Sequence, residues 1–237
     1  MNYYAKLLQQ PKTEYLNSLG SGYYADLLRE KYNDFPDHDG RPGQVGGSLP
    51  RGESGADNPK IFTNGQSANK FFYSNKNYKK WADSLSKDEE FVLSEYTDGK
   101  YEEINEQLRS GNIDKGIQEY VDILDGMIER FNLEQPIQVY RAVPIDIVEN
   151  IEDVYINKGF TSTSVDKNAV SSEKLAFLII NIPAGKGRGA YINNYSVHQN
   201  DEYEFLIKRN TSFNVIDKYT ENGRFILELE MDITSFS

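Results

Sequence analysis

Residues 200–207 read Asn-Asp-Glu-Tyr-Glu-Phe-Leu-Ile, which places two carboxylates directly before a run of apolar residues. Side chains at positions i and i+2 of a β-strand share a face, so this stretch predicts that Glu202 and Glu204 project side by side. Paired acids that face one space are costly unless a cation or a developing positive charge lies between them. The stretch therefore indicates a site that attracts positive charge, or else a solvated strand face, which is the commoner place for glutamate.

The composition indicates a globular protein and excludes several kinds of site. The chain has 237 residues, of which 38% are hydrophobic and 13% aromatic, and this is enough to bury a core. Its formal net charge of -11 argues against a general nucleic-acid binder, which needs a basic surface. Because it has no cysteine, disulfides, thiolate catalysis and cysteine-based zinc sites are excluded.

The sequence carries no signal for membrane insertion. Residues 2–10 lack the apolar stretch of a secretory signal, and no window approaches the roughly 18 consecutive apolar residues of a membrane span. We therefore expect a soluble protein without a signal peptide, acting in a bacterial or host-cell cytoplasm. Delivery by a phage and delivery by a secretion system both stay open.

The first 60 residues differ in character from the rest of the chain. Residues 13–32 fit a short helix with an aromatic and leucine face. Residues 34–60 hold 6 of the 18 glycines and 4 of the 8 prolines, and so apolar-poor a stretch cannot offset its ordering entropy. We predict an irregular and helical arm with a linker over residues 1–60, and one folded domain over residues 61–237.

Within that domain, helical patterns come first and strand patterns follow. Ser86 and Glu89 form a capping box at the start of one helix, and residues 97–99 end it. The predicted helices cover residues 68–85, 88–96, 101–108 and 116–131. The predicted strands cover residues 137–143, 159–165, 176–182, 190–192, 204–207, 213–219 and 225–231. Helices followed by strands predict an α+β fold, with the helices packed on an antiparallel-rich sheet.

Two of these strands carry polar residues where a buried face would be apolar. Arg141 shares a face with apolar neighbours, and a guanidinium there must find an anion such as a phosphate or a carboxylate. Ser162 and Ser164 share a face with Phe160, an arrangement that suits a polar ligand better than a core. Taken singly, each observation also fits a strand end or an edge strand that reaches solvent.

Other sequence patterns that could mark a binding or catalytic site lack the surrounding sequence that such a site needs. Residues 20–25 match a dinucleotide-binding glycine pattern, but no strand precedes them. Residues 185–189 lack the spacing of a phosphate-binding loop and are interpreted as a turn between strands. Residues 37–39, Asp-His-Asp, are interpreted as solvated linker rather than a metal site. Because His198 is the only histidine near the strands, no Ser-His-Asp arrangement is discernible.

Three motifs follow one another along the chain: Arg141 on one strand, Ser162-Thr163-Ser164 on a second, and Glu202-Tyr203-Glu204 opening a later one. Together they resemble the R-S-E signature of mono-ADP-ribosyltransferases, and are most similar to the clostridial binary-toxin, actin-modifying type and related phage enzymes. The resemblance runs from about residue 66 to the end of the chain. It implies the ADP-ribosyltransferase fold, with N-terminal helices packed on a two-sheet β core, and makes residues 61–237 the catalytic domain.

The resemblance also implies a reaction, with NAD as co-substrate and no metal. Glu204 would stabilise the positive charge that develops on the ribose when nicotinamide leaves. Arg141 would hold the pyrophosphate, and Ser162 would position Glu204 and the nicotinamide ribose. The other residues that match dinucleotide-contacting positions of the family are Tyr96, Tyr101 and Asn105.

Glu202 would face the acceptor. A carboxylate there can orient a guanidinium and draw off its proton, which favours an arginine of a target protein. Tyr195 and His198 lie in the stretch before the acids and are expected to contact that protein. The implied activity is arginine mono-ADP-ribosylation, with NAD hydrolysis as a side activity.

Two alternatives stay open. One is an NAD glycohydrolase that uses water as the acceptor. The other is a non-enzymatic phage structural or interaction protein on a degenerate transferase fold, supported by the unmatched N-terminal arm and the reduced nicotinamide clamp; residues 40–48 are similar to segments of phage head-associated proteins. The chain also departs from the family pattern at Gly159, where many members have Asn, and in residues 166–174, which lack an obvious aromatic or arginine clamp for the nicotinamide side.

Overall fold

Five α-helices precede the strands in the computed structural model, which describes residues 58–170, 176–199 and 201–233. The helices are α1 (Gly65–Ser74), α2 (Lys76–Ala82), α3 (Lys87–Glu95), α4 (Tyr101–Ser110) and α5 (Lys115–Arg130). The predicted helix at residues 13–32, most of the predicted linker, and hence the arm itself lie outside the described residues and stay predictions.

The single helix predicted over residues 68–85 is wrong, because Asn75 divides it. Asn75 adopts an extended conformation, and its side-chain oxygen accepts hydrogen bonds from the backbone N–H groups of Asn77 (2.8 Å) and Tyr78 (3.0 Å). A short amide side chain competes in this way with the helix ladder, so one helix ends and α2 begins.

Helix α3 begins and ends one residue before its predicted bounds of 88–96. Ser86 and Glu89 form the capping box, each side chain bonding to the other's backbone N–H. The helix then runs into a π-helical turn over Tyr96–Lys100, in which Gly99 has a φ of 122°. Only glycine adopts such a φ without strain, so residues 97–99 separate α3 from α4.

The strands of the described residues form an eight-stranded and a two-stranded sheet, which confirms the α+β prediction. They are β1 (Asn132–Leu133), β2 (Ile137–Val143), β3 (Val154–Asn157), β4 (Thr161–Ser164), β5 (Ala176–Ile182), β6 (Gly185–Lys186), β7 (Gly189–Tyr191), β8 (Glu204–Ile207), β9 (Thr211–Glu221) and β10 (Arg224–Met231). The larger sheet has the order β3-β9-β10-β5-β2-β4-β8-β7, and β1 pairs with β6. Residues 185–189 are therefore part strand and part turn, not a turn alone.

The register of three neighbouring strands determines where the site forms. Strand β4 lies between β2 and β8 and is antiparallel to both. Ser164 is the residue that pairs with Tyr140 on one side and with Glu204 on the other. The arginine, serine and glutamate motifs are thus adjacent in space although they lie far apart in the sequence.

A continuous hydrophobic core joins the helices to the larger sheet. Phe72 of α1 stacks on Tyr191 of β7, with ring centroids 4.1 Å apart and planes at 15°. Trp81 of α2 is buried against Phe131 and donates its indole N–H to the carbonyl of Met127 at 2.9 Å. A second, smaller cluster forms around Tyr140, Phe177 and Ile226 on the other side of the sheet. Among the described residues, no helix combines the length and apolar character needed to cross a bilayer.

Candidate active site

Arg141, Ser162 and Glu204 meet on the adjacent strands β2, β4 and β8. The Arg141 side chain donates from Nη1 to the backbone carbonyl of Ser162 at 2.8 Å. This bond fixes one arm of a partly exposed guanidinium beside the serine strand. The remaining donors of the fork are available for an anion, as the sequence predicts for Arg141.

Glu204 is the buried acid of the site, with 3% of its surface exposed. The pKa of its carboxyl is raised to about 7, mainly by burial and in part by the nearby charge of Glu202. The Ser162 side chain and the charge of Arg141 oppose the shift. The predicted role of Ser162 in positioning Glu204 stays a prediction. A carboxyl with this pKa titrates near neutral pH, which is common at catalytic sites.

A buried chain of polar groups continues from Ser162 to the helices. The Tyr96 hydroxyl lies 3.5 Å from the Ser162 hydroxyl, and Asn105 Nδ2 donates to the Tyr96 oxygen at 3.3 Å. Tyr96 is fully buried, and this burial raises the pKa of its phenol to about 12. It therefore stays neutral and can donate a hydrogen bond into the site. Tyr101 packs against Tyr96, with centroids 6.2 Å apart, and is half-buried.

The position of the Asn105 side chain requires a glycine at residue 159. The Asn105 side-chain oxygen accepts a hydrogen bond from the backbone N–H of Phe160 at 2.8 Å. A Cβ at Gly159 would lie 2.5 Å from the same oxygen, closer than such atoms approach. The family departure at Gly159 thus has a local reason, because Asn105 occupies the space that a side chain would need.

The prediction that Glu202 and Glu204 share a strand face is wrong. Strand β8 begins at Glu204, and Tyr203 has a φ of 48°, which turns the chain out of the extended conformation. Glu202 is exposed before the strand, whereas Glu204 is buried within it. Enough protein surrounds the Glu202 carboxyl to raise its pKa by desolvation, although His198 opposes the shift and Asp201 adds to it. The two acids thus have different environments.

The predicted target-contacting residues lie in the loop before Glu202. His198 is exposed, and its carbonyl accepts hydrogen bonds from the backbone N–H groups of Asp201 (2.9 Å) and Glu202 (3.1 Å). Tyr195 is half-buried, because its ring packs edge-on against Trp81 with centroids 6.1 Å apart. The structure therefore places the backbone of His198 beside Glu202, while Tyr195 also serves the helix packing. Their contact with a target stays a prediction.

One positively charged residue near the site was not among the predicted site residues. Arg109 is exposed on α4, one helical turn after Asn105. Its charge and that of Arg141 both lower the pKa of the Tyr155 phenol, which burial raises by more. The charges of both arginines therefore act on one partly buried tyrosine. The spacing of four residues from Asn105 could have indicated Arg109, since it puts both on one helix face.

Over the described residues, no three or more histidine, aspartate or glutamate side chains are grouped so that they could hold a metal ion. The Asp-His-Asp stretch at residues 37–39 lies outside those residues. The prediction of a metal-free site stays a prediction.

The comparison with protein families fits this geometry. A family model described as ADP-ribosyltransferase exoenzyme matches residues 70–234, which is more than half of the chain. The chain belongs to this family. The match confirms the resemblance seen in the three motifs.

Individual relatives agree with the family. This exoenzyme-family chain is 30% identical over 149 residues to an NAD(+)–arginine ADP-ribosyltransferase, EFV, of Enterococcus faecalis, covering 57% of this chain and 30% of that protein. Among solved structures it is similar to the C3 exoenzyme of Clostridium limosum, with a TM-score of 0.63 and 19% identity over 74% of this chain and 98% of that one. It is also similar to a C3 enzyme of Staphylococcus aureus, solved with NAD, with a TM-score of 0.63 and 20% identity over 73% and 98% of the two chains.

These likenesses confirm the ADP-ribosyltransferase fold, with helices packed on two sheets. The chain spans less than a third of the length of the curated Enterococcus relative, so the activity of that whole protein is not transferred here. The predicted link to phage particles gains no support from these relatives.

Proposed function

We propose that this chain is an NAD-dependent mono-ADP-ribosyltransferase that modifies an arginine of a target protein. The observation that carries the proposal is the buried Glu204 carboxyl, whose pKa is influenced by the nearby Ser162 side chain and Arg141 charge, with Arg141 bonded to the Ser162 carbonyl. A carboxyl group is rarely buried in this way unless it has a binding or catalytic role, because desolvation of its charged form is costly. The name of the Enterococcus relative supports arginine as the acceptor.

The first half of the reaction breaks the bond between nicotinamide and ribose. The bonding electron pair leaves with the nicotinamide nitrogen, and positive charge develops on the ribose. Glu204, ionised, stabilises that charge because it lies in a buried site where electrostatic interactions are strong. Ser162, on the neighbouring strand, orients the carboxylate from its hydroxyl side.

The two arginines of the site are suited to the negatively charged pyrophosphate of NAD. Arg141 has one arm fixed on the Ser162 carbonyl and presents its other donors to the pyrophosphate. Arg109 adds a second positive charge on the α4 side. Tyr96 and Asn105 supply polar contacts from the helices, and Tyr101 flanks Tyr96.

The second half of the reaction joins the ribose to the acceptor. Glu202 is exposed and therefore accessible to a guanidinium from another protein. A guanidinium nitrogen attacks the ribose carbon that nicotinamide has left, and its proton passes to the Glu202 carboxylate. Water in place of the guanidinium gives NAD hydrolysis as a side reaction.

The direct test is incubation of the protein with NAD and agmatine, a small guanidinium compound. We expect release of nicotinamide and a new agmatine–ADP-ribose adduct, detected by mass spectrometry. Nicotinamide release without the adduct would indicate an NAD glycohydrolase. Release of neither would contradict the proposal and favour the non-enzymatic alternative, against which the contacts among Arg141, Ser162 and Glu204 speak.

A further inference from the structure

We propose that Tyr203, the residue between the two acids, is a positioning residue that holds Glu202 where it can meet the acceptor, so that the protein transfers ADP-ribose rather than hydrolysing NAD. The inference rests on the proposed function, since it assigns Glu202 to the acceptor side. It concerns contacts that lie outside the R-S-E residues, and it begins with an unusual backbone conformation.

Tyr203 has a φ of 48°. A bulky residue seldom adopts the left-handed region, and strain of this kind costs on the order of 1–3 kcal/mol and persists only where the surroundings fix it. Here it has a clear consequence, because it separates an exposed Glu202 from a buried Glu204. Some contact must therefore hold Tyr203 in this conformation.

The aromatic ring provides that contact. Tyr203 is 8% exposed, and its ring lies flat against Gly65, the first residue of α1. A Cβ at Gly65 would lie 2.2 Å from three ring atoms, so only glycine leaves room for the ring. The Tyr203 hydroxyl also accepts a hydrogen bond from Gln66 Nε2 at 3.0 Å. Residues 65 and 66 together form the seat of the ring.

This seat is linked by hydrogen bonds to the end of strand β4. The backbone N–H of Gly65 donates to the buried carboxylate of Asp166 at 2.8 Å, and the N–H of Asp166 donates to Ser164 Oγ at 3.0 Å. The N–H of Val165 donates to the Tyr203 carbonyl at 3.1 Å. A negative charge at the start of a helix is favourable, which strengthens the link to Gly65. The end of β4, the start of α1 and Tyr203 thus form one frame.

Glu204 and Glu202 depend on this frame to different degrees. Glu204 lies in strand β8, where it pairs with Ser164 and its carbonyl accepts from the N–H of Ile192 at 3.1 Å. Glu202 has no strand partner, and its described backbone contact is the N–H donated to the His198 carbonyl. Loosening the Tyr203 ring should therefore displace Glu202 while Glu204 keeps its place.

The experiment measures the ratio of agmatine transfer to NAD hydrolysis in a set of full-length variants. Tyr203→Ala removes the ring, and Gly65→Ala inserts a methyl group into its seat. We expect both to lower the ratio by about ten-fold to a hundred-fold, since small misplacements of a reacting group cost this much, with hydrolysis largely retained. Tyr203→Phe keeps the ring and should keep most of the ratio.

The matched control is Gly116→Ala. Gly116 also lies in the first turn of a helix, but a Cβ there meets only Asp114 Oδ1, at an ordinary 3.4 Å. This variant should retain the wild-type ratio. If Tyr203→Ala does not fold, Gly65→Ala tests the same contact alone. A Gly65→Ala variant with the same ratio as Gly116→Ala would overturn the inference.

The outcomes separate this inference from the proposed function. If the wild-type protein neither hydrolyses NAD nor modifies agmatine, the proposed function fails. If the wild-type protein does both and the ratio is unchanged in Tyr203→Ala, only the positioning role fails. Equal loss of both activities in Tyr203→Ala and Gly65→Ala would also overturn it, because Glu204 would then depend on the frame as much as Glu202 does.

Discussion

Arg141 and Ser162 are joined by a side-chain to backbone hydrogen bond of 2.8 Å, from Nη1 of the arginine to the carbonyl of the serine. The bond links strands β2 and β4 at the point where the sheet presents its polar residues. It leaves the arginine oriented before any ligand arrives, so binding of an anion costs less side-chain entropy.

Replacement of Arg141 by lysine should weaken NAD binding. Lysine keeps the charge but cannot bond the Ser162 carbonyl and a pyrophosphate together in one plane. We expect the dissociation constant, measured by calorimetry, to rise about ten-fold to a hundred-fold, as for loss of a charge-assisted hydrogen bond. Arg224→Lys is the matched control, because that guanidinium lies over Phe177 on the other side of the sheet, 4.8 Å from the ring centroid. An unchanged constant in Arg141→Lys would refute the pyrophosphate role.

The rate of NAD hydrolysis should increase with pH through the neutral range. Burial raises the pKa of Glu204 to about 7, and only the ionised carboxylate can stabilise the ribose cation. The expected profile is low at acidic pH and reaches a plateau above neutrality. A rate that is flat between about pH 5.5 and about pH 8.5 would show that ionisation of this group does not control the reaction.

The same carboxyl should make the protein less stable as pH rises. The folded pKa of Glu204 is about 7, above its ordinary value of 4.5, so the folded state keeps its proton where the unfolded chain has lost it. The stabilisation is full below pH 4.5 and is lost as pH rises through 7. Relative to Glu204→Gln, the free energy of unfolding of the wild type should fall by up to about 3 kcal/mol across this range. Urea unfolding of both proteins at about pH 5 and about pH 8 measures this difference, and an equal difference at both values would contradict it.

Gly159→Ala should damage the polar contacts behind Ser162. The added methyl group would lie 2.5 Å from the Asn105 oxygen and displace it from the Phe160 N–H. We expect a loss of about 1–3 kcal/mol in stability and weaker NAD binding, measured by urea unfolding and calorimetry. Gly126→Ala is the control, since a Cβ there meets only Arg130 Nη1 at 4.0 Å in the middle of α5. If both variants behave alike, Asn105 does not need the space at Gly159.

Much of the fold was predictable from the sequence for physical reasons. Strands β2, β5 and β8 begin and end where predicted, because each is an apolar run with clear boundaries. Strand β3 was missed, since it is a four-residue strand at the sheet edge in which no residue is fully buried and the apolar Val154 and Ile156 are the exposed ones. Strands β1 and β6 have two residues each, too few to show any period.

The site was predictable in its members but not in its arrangement. The order of the motifs indicated Arg141, Ser162 and Glu204, and the structure places them on neighbouring strands. The different surroundings of Glu202 and Glu204 follow from a positive φ at Tyr203, which nothing in the local sequence suggests for a tyrosine. The Tyr203 hydroxyl is bonded to Gln66, which lies 137 positions away in the sequence, so no local pattern could have indicated this contact.

The central claim is that the two acids divide the reaction, Glu204 serving the ribose and Glu202 the acceptor. The most direct measurement is nicotinamide release and agmatine modification, side by side, in Glu204→Gln and Glu202→Gln. The first variant should lose both activities while still binding NAD. The second should retain NAD hydrolysis and lose transfer to agmatine. Equal loss of both activities in Glu202→Gln, or full activity in Glu204→Gln, would contradict the account.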